Sequence, residues 1–503
     1  MKNIKNNIKS FFALLGMAVF VPCSLLLVLT TSCNKLLDVI PESDITNKSY
    51  FTNADEVNSG VIGCYNGMLK SISTEWMFTE LRSDNSYQRE TGSSTQANID
   101  LNDLDMFRPL TYMSEIYSYW YATYQNIATC NIVMEHLDVV DNAEKKQQYE
   151  GECRFIRAYH YFNLVRLFGP VFLCDHSISP QEAKKMNRRP VEEIYQFIID
   201  DLSFASTLPT EYTANEKGRA TQWAAKALLA KVYMTLQDFA SAKTLLTDVR
   251  YNSGHNTLPN YADVFSVNNE LNIEIIFAIR HKAGGFGLGC SWSNDFAPLN
   301  SQTAVVLGNG KGLNSPTLDL RNSYDPSDLR KNVNIGVWLN SAQVEYLYPK
   351  KWVVPVGMVN DSDLDFPVLR FADVLLMLAE CENELVGPAT ALTILDPIRQ
   401  RAGLAPLSTT SQMEARLMIE NERRFELAFE NQRFFDLQRT GRLKEVMENE
   451  IFVTDWVDHY SKYSTDKQPV QGQIVQEWQS LLPIPGLEID ANNDIVITQN
   501  FGY

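Results

Sequence analysis

A chain of 503 residues with 45% apolar residues has enough apolar mass for a sizeable core. Its formal charge of −17 argues against a nucleic-acid surface, which needs Lys and Arg to neutralise phosphates. The same excess of acid argues against a broad electrostatic hold on an anionic membrane.

Lys2, Lys5 and Lys9 open the chain, and an apolar run follows from Phe11 to Leu29. Leu29-Thr30-Thr31-Ser32 then places small residues before Cys33. This is the order of a bacterial secretory signal peptide, 1–32. The cysteine adds a lipoprotein reading, with Cys33 lipidated and first in the mature chain. The alternatives are an ordinary signal peptide cut near Ser32 or an uncleaved anchor. Stable attachment by lipid requires several acyl chains, since one binds only weakly.

A helix is expected to start near residues 49–56, capped by Thr52 or Asn53, and to run to about residue 70. Helical periodicity continues over 115–137, 143–168, 191–206, 222–235, 238–251, 371–385, 389–402 and 412–435. The better strand candidates are 274–279 and 353–356. Between 229 and 246, Ala230, Tyr233, Ala242 and Leu246 keep the small–large spacing of a tetratricopeptide helix pair. Small Ala230 and Ala242 would let two helices approach closely, with Tyr233 and Leu246 filling the seam. An ordinary helical hairpin is the alternative. Cys64, Cys130, Cys153 and Cys381 fall on apolar helical patterns and read as small core residues. Trp76 and Trp120 also lie in helical contexts and read as core.

Two stretches, 82–112 and 281–345, lack periodicity and are rich in Asn, Ser, Gly, Asp and aromatics. Loops of that length are usually functional or disordered. Their rings can stack on the apolar face of a ligand, and their polar groups can pair with its hydroxyls. The ligand-binding candidates are therefore Arg82, Asp84, Asn85, Tyr87 and Phe107 in the first stretch. The second adds Phe286, Trp292, Asn294 and Phe296, beside Asp295. Trp292 leads, and on this reading Trp292→Ala weakens ligand binding while leaving thermal stability nearly unchanged. The alternative is a Trp packed beneath the loop.

No catalytic pattern emerges. The six histidines are scattered, without a zinc-hydrolase motif. No Ser nucleophile elbow is present. Gly284-Gly285-Phe286-Gly287-Leu288-Gly289 lacks the Lys-Ser/Thr of a phosphate loop and reads as a flexible ligand loop. Glu422, Glu426 and Glu430 lie along one expected helical ridge beside Arg423, Arg424 and Arg433. Such charges support ion pairs when exposed and helix registration when buried. No metal site and no cofactor are expected.

Several blocks resemble the SusD/RagB family of surface lipoproteins from glycan-degrading Bacteroidetes. They are Cys33-Asn34-Lys35-Leu36-Leu37-Asp38-Val39-Ile40-Pro41, the segment from Gly151 to Gly169, Arg189-Pro190-Val191 and Gly218-Arg219-Ala220-Thr221. Further on come Phe366 to Glu380, Ile398 to Gly403, Glu422 to Glu430, Leu482-Pro483-Ile484-Pro485 and the final Gln499 to Tyr503. The resemblance implies a mainly α single body, 33–503, with degenerate tetratricopeptide-like helix pairs, long irregular loops and few short strands. Its N-terminal part would span about 33–250 and its C-terminal part about 251–503. It also implies a non-enzymatic protein lipid-anchored in the outer membrane and facing outward. That protein would capture oligosaccharides for a SusC-like TonB-dependent transporter. Peptide capture is the alternative ligand class. A surface glycoside hydrolase and a repeat scaffold are the readings from other classes.

Overall fold

The computed structural model describes residues 50–89, 95–449, 475–492 and 494–503. Cys33 and the leader before it lie outside these residues.

Helix α1 (Ala54–Thr79) starts at Asn53, whose side chain accepts from the backbone N–H of Asp55 and Glu56 at 3.0 and 3.1 Å. Asp55 and Glu56 favour the positive end of the helix dipole. The helix continues well past residue 70 because Ser71, Ile72, Trp76 and Phe78 remain buried. After it come α2 (Gln96–Asp105), α3 (Ser114–Glu135), α4 (Ala143–Phe168), α5 (Val191–Ala205), α6 (Gln222–Thr235) and α7 (Phe239–Asn252). The C-terminal helices are α8 (Phe371–Leu385), α9 (Pro388–Ile394), α10 (Asp396–Arg401), α11 (Gln412–Glu426) and α12 (Arg433–Arg439).

The helices pack in a row. Helix α1 lies on α3, α3 on α4, α4 on α5, α5 on α6, α6 on α7, α7 on α8, and α8 on α9 and α11. In the α6–α7 pair, Ala230, Ala242 and Leu246 have no exposed surface, while Tyr233 keeps part of its own. Close approach through small residues therefore holds for this pair. Cys64, Cys130, Cys153 and Cys381 are buried free thiols, and Trp76 and Trp120 are core residues.

Two expected helices are broken. The 389–402 segment divides into α9 and α10, because Pro397 has no N–H to continue the ladder. The 412–435 segment ends at Glu426, where Phe429 and Asn431 adopt positive φ of 65° and 60°. The backbone holds that turn through Trp352 Nε1–H donating to Phe429 O at 2.7 Å and Asn431 N–H donating to Glu80 Oε1 at 2.6 Å. Glu430 thus lies off the ridge that carries Glu422 and Glu426.

Among the described residues six strands form three antiparallel pairs: β1 (Ser86–Tyr87) with β3 (Ser315–Pro316), β2 (Ile275–Ile279) with β6 (Phe366–Arg370), and β4 (Ile335–Leu339) with β5 (Glu345–Pro349). The expected strand at 353–356 is absent. Pro355 has no N–H, and Val354 N–H donates to Ser293 Oγ instead of a ladder partner.

The family-like blocks meet in buried ion-pair networks. Arg370, at the end of β6, bonds Glu274 at 2.9 Å, Glu426 at 2.7 Å and Glu430 at 2.6 Å. Arg330 pairs with Asp328, Glu422 and Glu426, Arg401 with Glu274 and Glu426, and Lys351 with Glu430. A second network runs from Lys231 through Asp373, Arg423 and Asp436 to Arg439 and Glu380. The charges therefore tie separate elements together and register them, rather than pairing along one helix.

Asp84 belongs to a third network. Its carboxylate accepts from Arg433 Nε and Nη2 at 2.7 and 2.8 Å and lies 3.1 Å from Arg424. Burial pushes its pKa up, but Arg424 and Arg433 outweigh that and hold it at about 2. An unfolded Asp titrates near ~3.9. The folded carboxyl therefore binds its proton later, so its stabilisation is full above that value and is lost as pH falls through about 2. We expect the stability advantage of the wild-type chain over Asp84→Asn to be greatest near neutrality and to vanish near pH ~2. Unfolding curves of both proteins against pH check this, and a constant difference across that range would contradict it.

Candidate ligand surface

The structure corrects most of the site residues expected from the sequence. Trp292 is 1% exposed. Its ring packs against Trp352, Phe296 and Phe366, with centroids 5.4 to 5.8 Å away, and its indole N–H donates to Ser73 O at 3.3 Å. It is a core residue and offers no face to a sugar. Phe296 is buried against Trp76. Asn294 is consumed by backbone bonds to Leu307 O, Asn309 O and Asn360 N–H. Arg82 is buried between the rings of Phe107 and Phe434. Phe107 is buried beside it. Asp84 is held by arginines, and Asn85 Oδ1 accepts from Arg424 Nε at 3.1 Å. Accordingly, Trp292→Ala should cost about 3–5 kcal/mol of stability through the cavity it leaves. A denaturant titration measures this, and an unchanged midpoint would return Trp292 to the surface.

Tyr87 and Phe286 remain accessible. Phe286 is 72% exposed on the glycine-rich loop. Asp361 Oδ2 anchors that loop by accepting from Gly284 and Gly285 N–H at 2.7 and 2.9 Å.

Tyr87 leads to a surface that sequence reasoning missed. Pairing of β1 with β3 brings the two irregular stretches together, and β3 lies beside β5. Thr317 fixes the junction, donating from N and Oγ1 to Asn85 O and Asp84 O. In the β4–β5 hairpin Trp338 faces Tyr346 across the ladder and Gly336 faces Tyr348. The period of two places Trp338, Tyr346 and Tyr348 on one face; on the other Ile335 and Leu347 are buried, and Val337 and Leu339 are exposed. Gly336 is required there: a Cβ would meet the Tyr348 ring at 2.2 Å.

The Trp338 and Tyr346 rings lie 5.3 Å apart at 59°, and all three aromatics are part-exposed. Arg89 lays its guanidinium 3.8 Å from the Tyr346 ring centroid and donates to Glu345 O at 3.1 Å. Arg321 bonds the Glu345 carboxylate at 2.6 Å. Rings for stacking thus stand beside the Arg89 guanidinium, on a backbone ladder that fixes their spacing, while Glu345, next to Tyr346 in the strand, belongs to the opposite face with Arg321. The missed signal was the alternation of Ile335 to Leu339 and of Glu345 to Tyr348 around a polar turn.

A paired-helix body carrying an aromatic ledge on short strands defines the class of a helical binding protein. Two family models match this chain, one described as the SusD family over residues 337–503, the other as starch-binding associating with outer membrane over 35–234. The chain belongs to the SusD family. SusD-like protein P25 of Formosa agariphila is 29% identical, over 92% of this chain and 96% of its own length. Starch-binding protein SusD of Bacteroides thetaiotaomicron is 24% identical, over 75% and 77%. Among solved structures, a laminarin-binding SusD-like protein superposes with a TM-score of 0.75 at 25% identity, covering 90% of this chain and all of that one.

Proposed function

We propose that this chain is a non-catalytic surface lipoprotein that captures oligosaccharides on the Trp338–Tyr346–Tyr348 ledge. The observation that carries the reading is the row of part-exposed rings beside Arg89. Laminarin binding by a similar protein, and starch in the name of another, support a glycan over a peptide. The carboxylates of the Glu422–Glu430 region are bonded to buried arginines or Lys351, which suits a structural role and leaves no acid pair to flank a glycosidic bond there. On this reading residues 1–32 are a signal peptide and Cys33 carries the lipid. The 33–503 body then faces outward from the outer membrane, where it hands ligand to a SusC-like TonB-dependent transporter.

A glycan array followed by calorimetric titration, with laminari-oligosaccharides and malto-oligosaccharides among the ligands, tests the capture step. Saturable binding with intact ligand recovered afterwards is the expected result; binding only to peptides, or cleavage of the sugar, would replace the proposal. Mass spectrometry of the mature N-terminus should find a diacylglyceryl group on Cys33, and a free N-terminus elsewhere would remove the anchor.

A further inference from the structure

A cleft of about 220 Å³ opens between α3, the segment after α4 and the C-terminal turn Gly486–Ala491. It shares no lining residue with the β4–β5 hairpin. Trp120, Tyr124 and Phe172 form its wall, with Trp120 and Tyr124 centroids 4.8 Å apart and Phe172 set edge-on to both. The Tyr124 hydroxyl donates to Phe172 O at 2.9 Å, which fixes the wall. Tyr121, stacked on Tyr117 and 55% exposed, stands at the mouth.

The charged groups in and around the cleft are acidic on balance. Glu488 lines it, and burial pushes that carboxyl up while the Trp120 indole N–H opposes the shift. His176 also lines it, and Asp175 at 2.6 Å with Glu182 at 2.9 Å raises its pKa; these two carboxylates outnumber the imidazolium they favour. Among the described lining residues none is Lys or Arg. A half-buried carboxylate with no Lys or Arg among the lining residues, walled by aromatic rings, has the composition of a cation-binding aromatic pocket.

We propose that this cleft is a second ligand site, which takes a protonated organic amine carried on a small apolar body. The ring faces of Tyr121 and Tyr124 attract the ammonium, Glu488 pairs with it, and Phe172 with Trp120 covers the apolar part. The site is independent of glycan capture at the hairpin.

The test is calorimetric titration of the whole purified chain with phenethylamine, with phenethyl alcohol and phenylacetate as uncharged and anionic counterparts. Saturable binding of the amine, at least tenfold tighter than the alcohol and with no binding of phenylacetate, is expected. Glu488→Gln should weaken the amine at least tenfold and leave the alcohol unchanged. Ala128→Phe should fill the cleft and abolish both, with glycan binding retained as evidence of folding. The absence of saturable amine binding, equal binding of amine and alcohol, or an unchanged affinity in Glu488→Gln would each overturn the proposal. If Ala128→Phe does not fold, the Glu488→Gln comparison still decides.

Discussion

Glu426→Ala is expected to destabilise the chain by about 3–5 kcal/mol, the cost of breaking a buried ion-pair network. Glu426 has no exposed surface and serves Arg330, Arg370 and Arg401 together. Burial raises its pKa, but the three guanidinium groups prevail and hold it well below the ordinary carboxylate range. Removing it leaves three buried cations short of an acceptor, and Arg370 Nη1 then keeps only Glu274. Glu384→Ala is the control, because its partner Arg416 is half exposed and such pairs contribute only about 0–1 kcal/mol. Urea unfolding of both variants measures the contrast. A Glu426→Ala loss no larger than that of the control would mean that neighbouring charges or water replace the carboxylate.

Replacing Trp338 and Tyr346 together by Ala should remove measurable oligosaccharide binding while folding is retained. Each part-exposed ring, if it acts as a binding anchor, is worth about 2 kcal/mol, or roughly 30-fold in affinity. The rings point away from the buried Ile335–Leu347 face, so their loss leaves the hairpin's packing intact. Arg89→Ala should have a smaller effect in the same direction by freeing the Tyr346 ring. Titration with the tightest ligand from the array, beside thermal melts, separates binding from stability. Full affinity in the double variant would move the ligand to another surface, with exposed Phe286 next in line.

The helices were the most legible part of the sequence. Helices α4, α6 and α8 begin and end where periodicity places them, because their apolar faces are long and α4 and α6 are capped by Asn142 and Thr221. The small residues of the α6–α7 seam were equally readable. The ligand surface was not. A loop aromatic has the same composition whether it faces water or fills the core, and only tertiary packing separates buried Trp292 from half-exposed Trp338. The partners of the charge networks were not legible for a related reason. Glu274 lies 96 residues from Arg370 and 127 from Arg401, so no local spacing reveals the bond.

Helices stacked in a row, each touching mainly its neighbours, ordinarily melt from an end, one unit after another. This row is fastened across its length. Asp84 bonds Arg433 over 349 residues, Arg188 bonds Asn500 over 312, and Arg82 reaches the Gln479 carbonyl over 397. Fraying at either end is therefore opposed by contacts with the other, and the protein should lose its structure in one concerted step. The same closure delays assembly. Asp84, Arg82 and Arg188 find these partners only after the last hundred residues exist, which makes this a slow folder of high contact order despite its helical content.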